Sequence, residues 1–178
     1  ANGTTINWAV TNNVANGIDA DMVTLANDVM NGTVGGLLVY GCNPVYSTAD
    51  GKKLGDAIEK LPFSVSFNSS MDETAERCKY IVPSNHWLES WGDAEPKSGH
   101  ISLIQPVINP LFKTRQFEDS LLKMMGTTAV AVAAADSLKP AVAIAPAKQG
   151  TNFETYFKTS WAGKVGGTEN WNKAQQDG

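Results

Sequence analysis

The feature that most constrains the fold is a short, uninterrupted apolar run at residues 35–41, which ends in the turn-forming residues 41–44. Runs of this kind are typical of strands covered on both faces, as in parallel sheets. Before it, apolar positions at helical spacing follow Asp19, the predicted N-cap, and stop at Asn31-Gly32. We therefore expect an amphipathic helix that packs on a sheet.

The same alternation continues along the chain. The sequence predicts a helix from about Lys52 to Lys60, a strand at residues 63–67, a short helix after the capping-box pattern at residues 70–73, and a strand at residues 80–82. Alternating strands and helices indicate right-handed crossovers between parallel strands. The predicted fold class is therefore α/β, a Rossmann-like three-layer domain with a mainly parallel sheet.

Residues 84–100 interrupt this alternation with tryptophans, carboxylates and turn residues, and we interpret them as a long ordered loop. A short edge strand is predicted at residues 101–104. An amphipathic helix is predicted from about Arg115, with Gly126 at its end. Near the start of the chain, alternating apolar residues at 6–10 suit a short strand.

Three segments are predicted from these patterns. Residues 1–126 form the α/β domain, residues 127–150 are an Ala/Pro-rich connecting segment, and residues 151–178 are a C-terminal helical extension that packs on the same domain. The extension is expected to begin with a capping box at Thr151. Its helix carries an aromatic stripe made of Phe153, Tyr156, Phe157 and Trp161.

Composition excludes several classes of protein. The formal net charge is −4 and Arg77 and Arg115 are the only arginines, so no nucleic-acid partner is expected. The sequence contains no run of about 18 apolar residues, so no direct membrane span is expected. Two cysteines are too few to hold an iron–sulfur cluster or a four-thiolate metal site without other ligands. Because the chain begins at Ala1, we expect a processed product or a piece of a longer protein.

The loop at residues 41–47 leaves the carboxyl end of the first predicted strand, where ligands bind in open α/β sheets. Asn43, Ser47 and the local backbone amides are candidate ligand contacts. The alternative is that Gly41, Asn43 and Pro44 only turn the chain. Neither a GxGxxG nor a GxxxxGK[ST] sequence is present, so neither phosphate-binding motif is supported.

Two further groups of residues could carry chemistry. Cys42 lies at a strand end, but no base lies near it in sequence, so we expect a small buried residue and no nucleophile. Residues 86–100 combine two histidines with three carboxylates, yet they match no standard metal-ligand spacing. We expect these carboxylates to cap turns and pair with Lys97 or Arg115, while the tryptophans attach the loop to the core. No catalytic or metal-ligating residue is predicted.

Five motifs carry a family resemblance, and they lie at residues 35–44, 72–75, 80–83, 87–96 and 105–116. On these motifs the chain resembles the molybdopterin oxidoreductase superfamily, the large subunits related to dimethyl sulfoxide reductase and formate dehydrogenase. The last two motifs are most similar to one branch, the large iron–sulfur subunit of alternative complex III, a quinol:cytochrome c oxidoreductase of bacteria such as Bacteroidetes.

The resemblance implies a cofactor site. In the molybdenum enzymes this portion helps to hold the guanine dinucleotide of a bis-molybdopterin cofactor. The implied contacts in this chain are Gly41, Asn43, Pro44, Ser47, Glu73 and Thr74, with Pro83 and Glu89 shaping the neighbouring loop. Any iron–sulfur clusters and the molybdenum ligand would lie elsewhere in the parent protein, so this chain is not expected to be catalytic alone.

Two departures from the family pattern favour the alternative complex III branch, which resembles the enzymes in fold but is understood to lack the cofactor. Cys78-Lys79 replaces the usual alanine–aspartate pair, and Gly99-His100 replaces a glycine–arginine pair. The resemblance then implies a cofactor-free scaffold that docks other domains and subunits of a membrane-associated electron-transfer complex, on the periplasmic side of the inner membrane. The alternatives are a true guanine-dinucleotide-binding domain and a stand-alone small-molecule binding module.

Overall fold

The computed structural model describes residues 3–5, 11–12, 16–125 and 152–177. The predicted strand at residues 6–10, the connecting segment and the helix ends at Thr151 and Gly126 therefore lie outside the described residues. Seven helices are described, namely α1 (Asp19–Met30), α2 (Pro44–Ser47), α3 (Gly51–Ile58), α4 (Glu73–Arg77), α5 (Phe117–Met125), α6 (Phe153–Ala162) and α7 (Thr168–Asp177). Five strands are described, namely β1 (Leu37–Val39), β2 (Ser64–Ser66), β3 (Tyr80–Ile81), β4 (Gly92–Lys97) and β5 (His100–Ile104).

The chain divides into two compact units, one through Arg115 and one from Gln116 onward. In the first unit, β1, β2 and β3 lie side by side in that order and both pairs are parallel. Helices α3 and α4 provide the two crossovers between these strands, as the alternating pattern predicts. The α/β fold class with a parallel sheet is confirmed.

The core of this unit lies where α1 packs on α3. Val29, Leu54, Ile58 and Leu61 are almost fully buried there, and Leu37 of β1 packs against them. On the opposite face of the sheet, Val65 of the central strand is buried, whereas Leu38 and Tyr80 of the two outer strands are exposed. Burying a side chain such as Ile58 stabilises a fold by about 1.5 to 3 kcal/mol, so this cluster holds the sheet and its crossover helices together.

Two predicted helix starts are wrong by a residue or more. Helix α1 begins at Asp19 itself, and its N-cap Ile18 has no side-chain capping bond. Helix α4 is capped by Asp72 rather than Ser70, because the Asp72 carboxylate accepts hydrogen bonds from the N–H groups of Thr74 and Ala75. The error at α4 arises because Ser69, Ser70 and Asp72 all precede the helix and spacing alone does not select among them. The error at α1 arises because this helix begins without any side-chain cap.

The predicted long loop at residues 84–100 is largely a hairpin. After a 3-10 turn at Trp87–Glu89, strands β4 and β5 pair in antiparallel register from Gly92↔Ile104 to Lys97↔His100. Gly99 closes the hairpin with φ of 80°, a conformation that only glycine adopts readily. The predicted edge strand at residues 101–104 is confirmed as part of β5.

The second unit contains α5, α6 and α7. Phe157 of α6 and Trp171 of α7 are both buried, and their rings meet edge to face with centroids 5.7 Å apart. The aromatic stripe of the predicted last helix therefore serves core packing in this unit. The N-cap of α6 is Asn152, whose side chain accepts a hydrogen bond from Thr155 N. The packing of the terminal extension on the α/β domain stays a prediction.

No helix among the described residues is long and apolar enough to span a membrane.

Candidate functional site

A cleft of about 410 Å³ opens where the chain leaves β1 and β2 and where it continues beyond β3. This is the edge of the sheet at which the sequence predicts ligand contacts. Its walls come from three loops, and the lining residues are Tyr40, Gly41, Cys42, Asn43, Phe67, Asn68, Ser69, Ser70, Asp72, Ser84, Asn85, His86 and Trp87.

Asn68 joins two of these loops. It follows β2 and is buried, and its Oδ1 accepts a 2.8 Å hydrogen bond from the backbone N–H of Gly41. Its Nδ2 donates to the carbonyl oxygen of Cys42 at 2.8 Å and to Oδ2 of Asp72 at 2.7 Å. Gly41 has φ of 65°, so the loop turns sharply at the point that Asn68 holds.

Asn43 makes a second set of contacts between the same loops. Its Oδ1 accepts hydrogen bonds from Thr74 Oγ1 at 2.7 Å and from Tyr46 N at 3.3 Å, the latter capping the short helix α2. Its Nδ2 donates to Glu73 Oε2 at 2.6 Å. The Asn43 side chain thus hydrogen-bonds the Asn-Pro sequence after β1 directly to the Glu-Thr sequence of α4.

Thr74 completes this set. Its side chain is fully buried, and Oγ1 accepts a 3.0 Å hydrogen bond from Val45 N while donating to Asn43. Both hydrogen-bonding roles of the hydroxyl are therefore filled by the loop after β1. A buried hydroxyl with two partners makes the relative position of the two loops costly to change.

Two carboxylates near the cleft have pKa values below their usual range. The pKa of Glu73 is lowered chiefly by the hydrogen bond from Asn43. The pKa of Glu89 is lowered by hydrogen bonds from the backbone N–H groups of Leu111 and then His86. Because both pKa values are lowered, both carboxylates are ionised at neutral pH and add negative charge to this side of the unit.

The structure places the predicted site residues in different roles. Gly41 and Asn43 line the cleft, whereas Pro44 and Ser47 form the first and last residues of α2 behind it. Glu73 and Thr74 contact Asn43. That these residues bind a cofactor stays a prediction.

Pro83 and Glu89 both hydrogen-bond to the segment after β5, and their part in shaping a cofactor site stays a prediction. The Pro83 carbonyl accepts a hydrogen bond from Arg115 N at 3.4 Å, and the Glu89 carboxylate accepts one from Leu111 N at 3.0 Å. The main residue missed in the sequence is Asn68. A polar residue directly after the predicted strand at 63–67 could have identified it, because such residues reach the carboxyl edge of a parallel sheet.

The cysteines differ from expectation in one respect. Cys42 is exposed and lines the cleft, so its predicted burial is wrong. It follows Gly41, whose turn carries the chain away from the covered strand. Cys78 is half-buried, and burial raises the pKa of its thiol.

Two of the three carboxylates in residues 86–100 serve turns, as predicted. Glu89 caps the 3-10 turn and Glu95 accepts a hydrogen bond from Gly99 N at 2.7 Å. Neither Lys97 nor Arg115 forms a salt bridge with another described residue, so the predicted pairing of the carboxylates with these cations is wrong. Trp87 is 65% exposed, so the prediction that it attaches the loop to the core is also wrong. Within the described ranges, no group of three or more His, Cys, Asp or Glu side chains is placed to hold a metal ion.

Comparisons with known proteins agree on one family. The model of the family described as molybdopterin oxidoreductase matches residues 4–117. The chain is 38% identical over 94 residues to the menaquinone reductase, molybdopterin-binding-like subunit, of Nitratidesulfovibrio vulgaris, a match that covers 51% of this chain and 14% of that protein. It is 30% identical over 116 residues to the arsenate respiratory reductase molybdopterin-containing subunit of Chrysiogenes arsenatis, covering 63% of this chain and 13% of that protein.

Proposed function

Because this chain belongs to the molybdopterin oxidoreductase family, we propose that it is the α/β domain of a large electron-transfer subunit and acts there as a cofactor-free scaffold that docks neighbouring subunits. The relative from N. vulgaris supports the link to quinones, since it is named a menaquinone reductase and its subunit molybdopterin-binding-like. The same proposal holds that the parent subunit takes part in quinol oxidation, belongs to the alternative complex III branch and lies on the periplasmic side of the membrane.

The scaffold proposal rests on one observation. The side chains expected to hold a cofactor are hydrogen-bonded to one another. Both ends of the Asn43 amide are engaged, Oδ1 by Thr74 and Tyr46 and Nδ2 by Glu73. The Asn68 amide is engaged in the same way. Opening these contacts for a ligand costs about 1 kcal/mol for each hydrogen bond that the ligand does not replace.

The charge around the cleft also fits a dinucleotide poorly. A guanine dinucleotide carries a pyrophosphate, and proteins usually bind such groups with arginine, lysine or helix N-termini. None of the described lining residues is lysine or arginine, and Asp72 contributes a carboxylate. The starts of α2 and α4 face the same edge, but their N–H groups at Tyr46, Thr74 and Ala75 are already bonded to the caps Asn43 and Asp72. Glu73, next to Asn43, is held ionised by its lowered pKa. The donor set of this cleft therefore favours a domain that keeps the family fold without its cofactor.

Metal and nucleotide analysis of the full-length parent subunit tests this proposal. The subunit is purified from its native complex, molybdenum is quantified by mass spectrometry, and guanine nucleotide is quantified after acid release. We expect less than about 0.1 equivalent of each per subunit, the level of a contaminant. A stoichiometric amount of molybdenum with guanine nucleotide overturns the scaffold proposal.

A true dinucleotide-binding domain is the second candidate, and one observation favours it. The cleft is open, and the exposed Trp87 ring stands at its rim beside Asn85, where a base could stack and form hydrogen bonds. For this candidate, Asn43→Ala in the parent should lower cofactor occupancy at least tenfold. The matched change Asn27→Ala, at an exposed position on α1, should leave occupancy unchanged.

A further inference from the structure

The loop that follows β5 exposes an unusual number of large apolar side chains. Val107, Leu111 and Phe112 are 71%, 73% and 78% exposed. Isolated exposed apolar residues are common on proteins, but a cluster within six consecutive positions is typical of a surface that another molecule covers. We call residues 107–115 the docking loop.

The docking loop is held in place by hydrogen bonds to the segment before the hairpin. The N–H groups of Val107 and Ile108 both donate to the Leu88 carbonyl, at 2.9 and 3.3 Å. Leu111 N donates to Glu89 Oε1 at 3.0 Å.

The far end of the loop is anchored in the same way. Thr114 Oγ1 donates to Asn85 Oδ1 at 2.6 Å, and Arg115 N donates to the Pro83 carbonyl at 3.4 Å. A loop anchored at regular intervals presents its side chains in a fixed arrangement, which lowers the entropic cost of binding.

Charge indicates what kind of molecule covers this loop. Lys113 and Arg115 are exposed, and neither forms a salt bridge with the carboxylates of the described residues, in a chain whose net charge is −4. Protein interfaces have an apolar centre and a polar, solvent-accessible rim, and aromatic residues and arginine are enriched in them. An anionic membrane surface is usually bound by a cluster of about four to eight cations, more than the two this loop carries.

We propose that the docking loop is the surface through which this domain binds a neighbouring protein subunit whose complementary face is apolar and bordered by carboxylates. The proposal rests on the proposed scaffold function and specifies where docking occurs. Val107, Leu111 and Phe112 supply the apolar contact. Lys113 and Arg115 orient the partner through charge complementarity, so binding should weaken as salt concentration rises.

The test uses the full-length parent subunit in its complex. One variant carries Leu111→Asp and Phe112→Asp, and a second carries Lys113→Glu and Arg115→Glu. The control carries Ile18→Asp and Val23→Asp, which introduce the same two negative charges at exposed positions at and near the start of α1. Complexes are purified through a tag on the parent, their subunits are counted by native mass spectrometry, and dissociation is followed against sodium chloride concentration.

We expect the apolar double variant to lose at least one stoichiometric subunit, and the charge-reversal variant to dissociate at a clearly lower salt concentration than the unmodified complex. The control should behave like the unmodified complex. Unchanged composition and salt dependence in both variants overturn the proposal.

Two further readouts identify other occupants. If the isolated parent variants unfold at lower temperature than the isolated unmodified parent, the loop is covered by the parent's own chain and the proposal is wrong. If composition is unchanged but the variants no longer sediment with phosphatidylglycerol vesicles, the loop binds lipid, which also overturns it. Molybdenum is measured on the same samples, so a failure of the cofactor-free proposal is recorded separately from a failure of docking.

Discussion

The backbone N–H of Gly41 donates a 2.8 Å hydrogen bond to Oδ1 of Asn68, so a residue two positions beyond the end of β2 fixes the turn that leaves β1. The same amide also binds the Cys42 carbonyl and the Asp72 carboxylate. One side chain therefore sets the relative positions of two of the three loops that form the cleft. The family motifs at residues 41–44 and 72–75 act as a single structural element through this contact.

Replacing Asn68 should destabilise the fold strongly. Asn68→Ala removes three side-chain hydrogen bonds at a buried position, each worth about 1 kcal/mol, so the free energy of unfolding should fall by about 2 to 4 kcal/mol. Urea unfolding followed by circular dichroism measures this change. The exposed Asn109→Ala should stay within about 0.5 kcal/mol of the unmodified chain. Equal losses for both variants would show that Asn68 has no special role.

The buried hydroxyl of Thr74 offers a nearly isosteric test. Thr74→Val keeps the shape but removes the hydrogen bonds to Val45 and Asn43, so we expect a loss of about 1 to 3 kcal/mol in the free energy of unfolding. The control is Thr24→Val on the exposed side of α1, where the hydroxyl bonds only its own helix. A loss at residue 74 no larger than the control's would contradict the importance of this contact.

The structure and the sequence pattern assign different N-cap residues to α4. Asp72→Ala should lower stability by about 1 to 2 kcal/mol because Asp72 accepts hydrogen bonds from two backbone N–H groups. Ser70→Ala, at the position that the capping-box pattern indicates, should change stability by less than about 0.5 kcal/mol. Thermal unfolding of the two variants compares them directly, and the reverse order of stability would refute the assigned cap.

Acid stability should depend on Glu89. Its pKa is lower in the folded state than in the unfolded chain, so it contributes stability above its unfolded pKa that is lost as pH falls through its folded pKa. Glu89→Gln removes this titration, so the loss of stability as pH falls below the ordinary glutamate pKa of 4.5 should become shallower. Asp28→Asn on α1 serves as the control. A steeper acid transition in Glu89→Gln than in the unmodified chain would rule out this assignment.

The two thiols should react at different rates. Cys42 is exposed, whereas Cys78 is half-buried with a raised pKa, so less of its reactive thiolate is present. We expect an aromatic disulfide reagent at pH 8 to modify Cys42 at least about tenfold faster than Cys78. Cys42→Ser should remove the fast phase and Cys78→Ser should leave it intact. Loss of the fast phase in Cys78→Ser would reverse the assignment.

The parallel sheet was predictable because its strands are short apolar runs between turn residues. Continuous apolar residues at 35–41 and helical spacing in α3 leave little choice of structure. The hairpin of β4 and β5 was not predictable in this way. Strand β4 contains Gly92, Asp93, Pro96 and Lys97 and is exposed along most of its length, so no alternation of buried and exposed residues marks it.

The candidate site was predictable in part. The position of Asn43 at a strand end identified the correct edge of the sheet, since ligand sites follow the carboxyl ends of parallel strands. Its bond to Glu73 was not predictable from spacing, because the two residues are 30 positions apart and meet only when β1 and β2 pair. The role of Asn68 depends on the same pairing.

The central claim is that this domain keeps the family fold without the dinucleotide cofactor, and the native mass of the full-length parent subunit tests it most directly. The subunit is released from its complex under non-denaturing conditions and weighed before and after acid unfolding. The account predicts that any mass lost on unfolding contains no molybdenum and no guanine dinucleotide. Release of two molybdopterin guanine dinucleotides with one molybdenum from each subunit would contradict it.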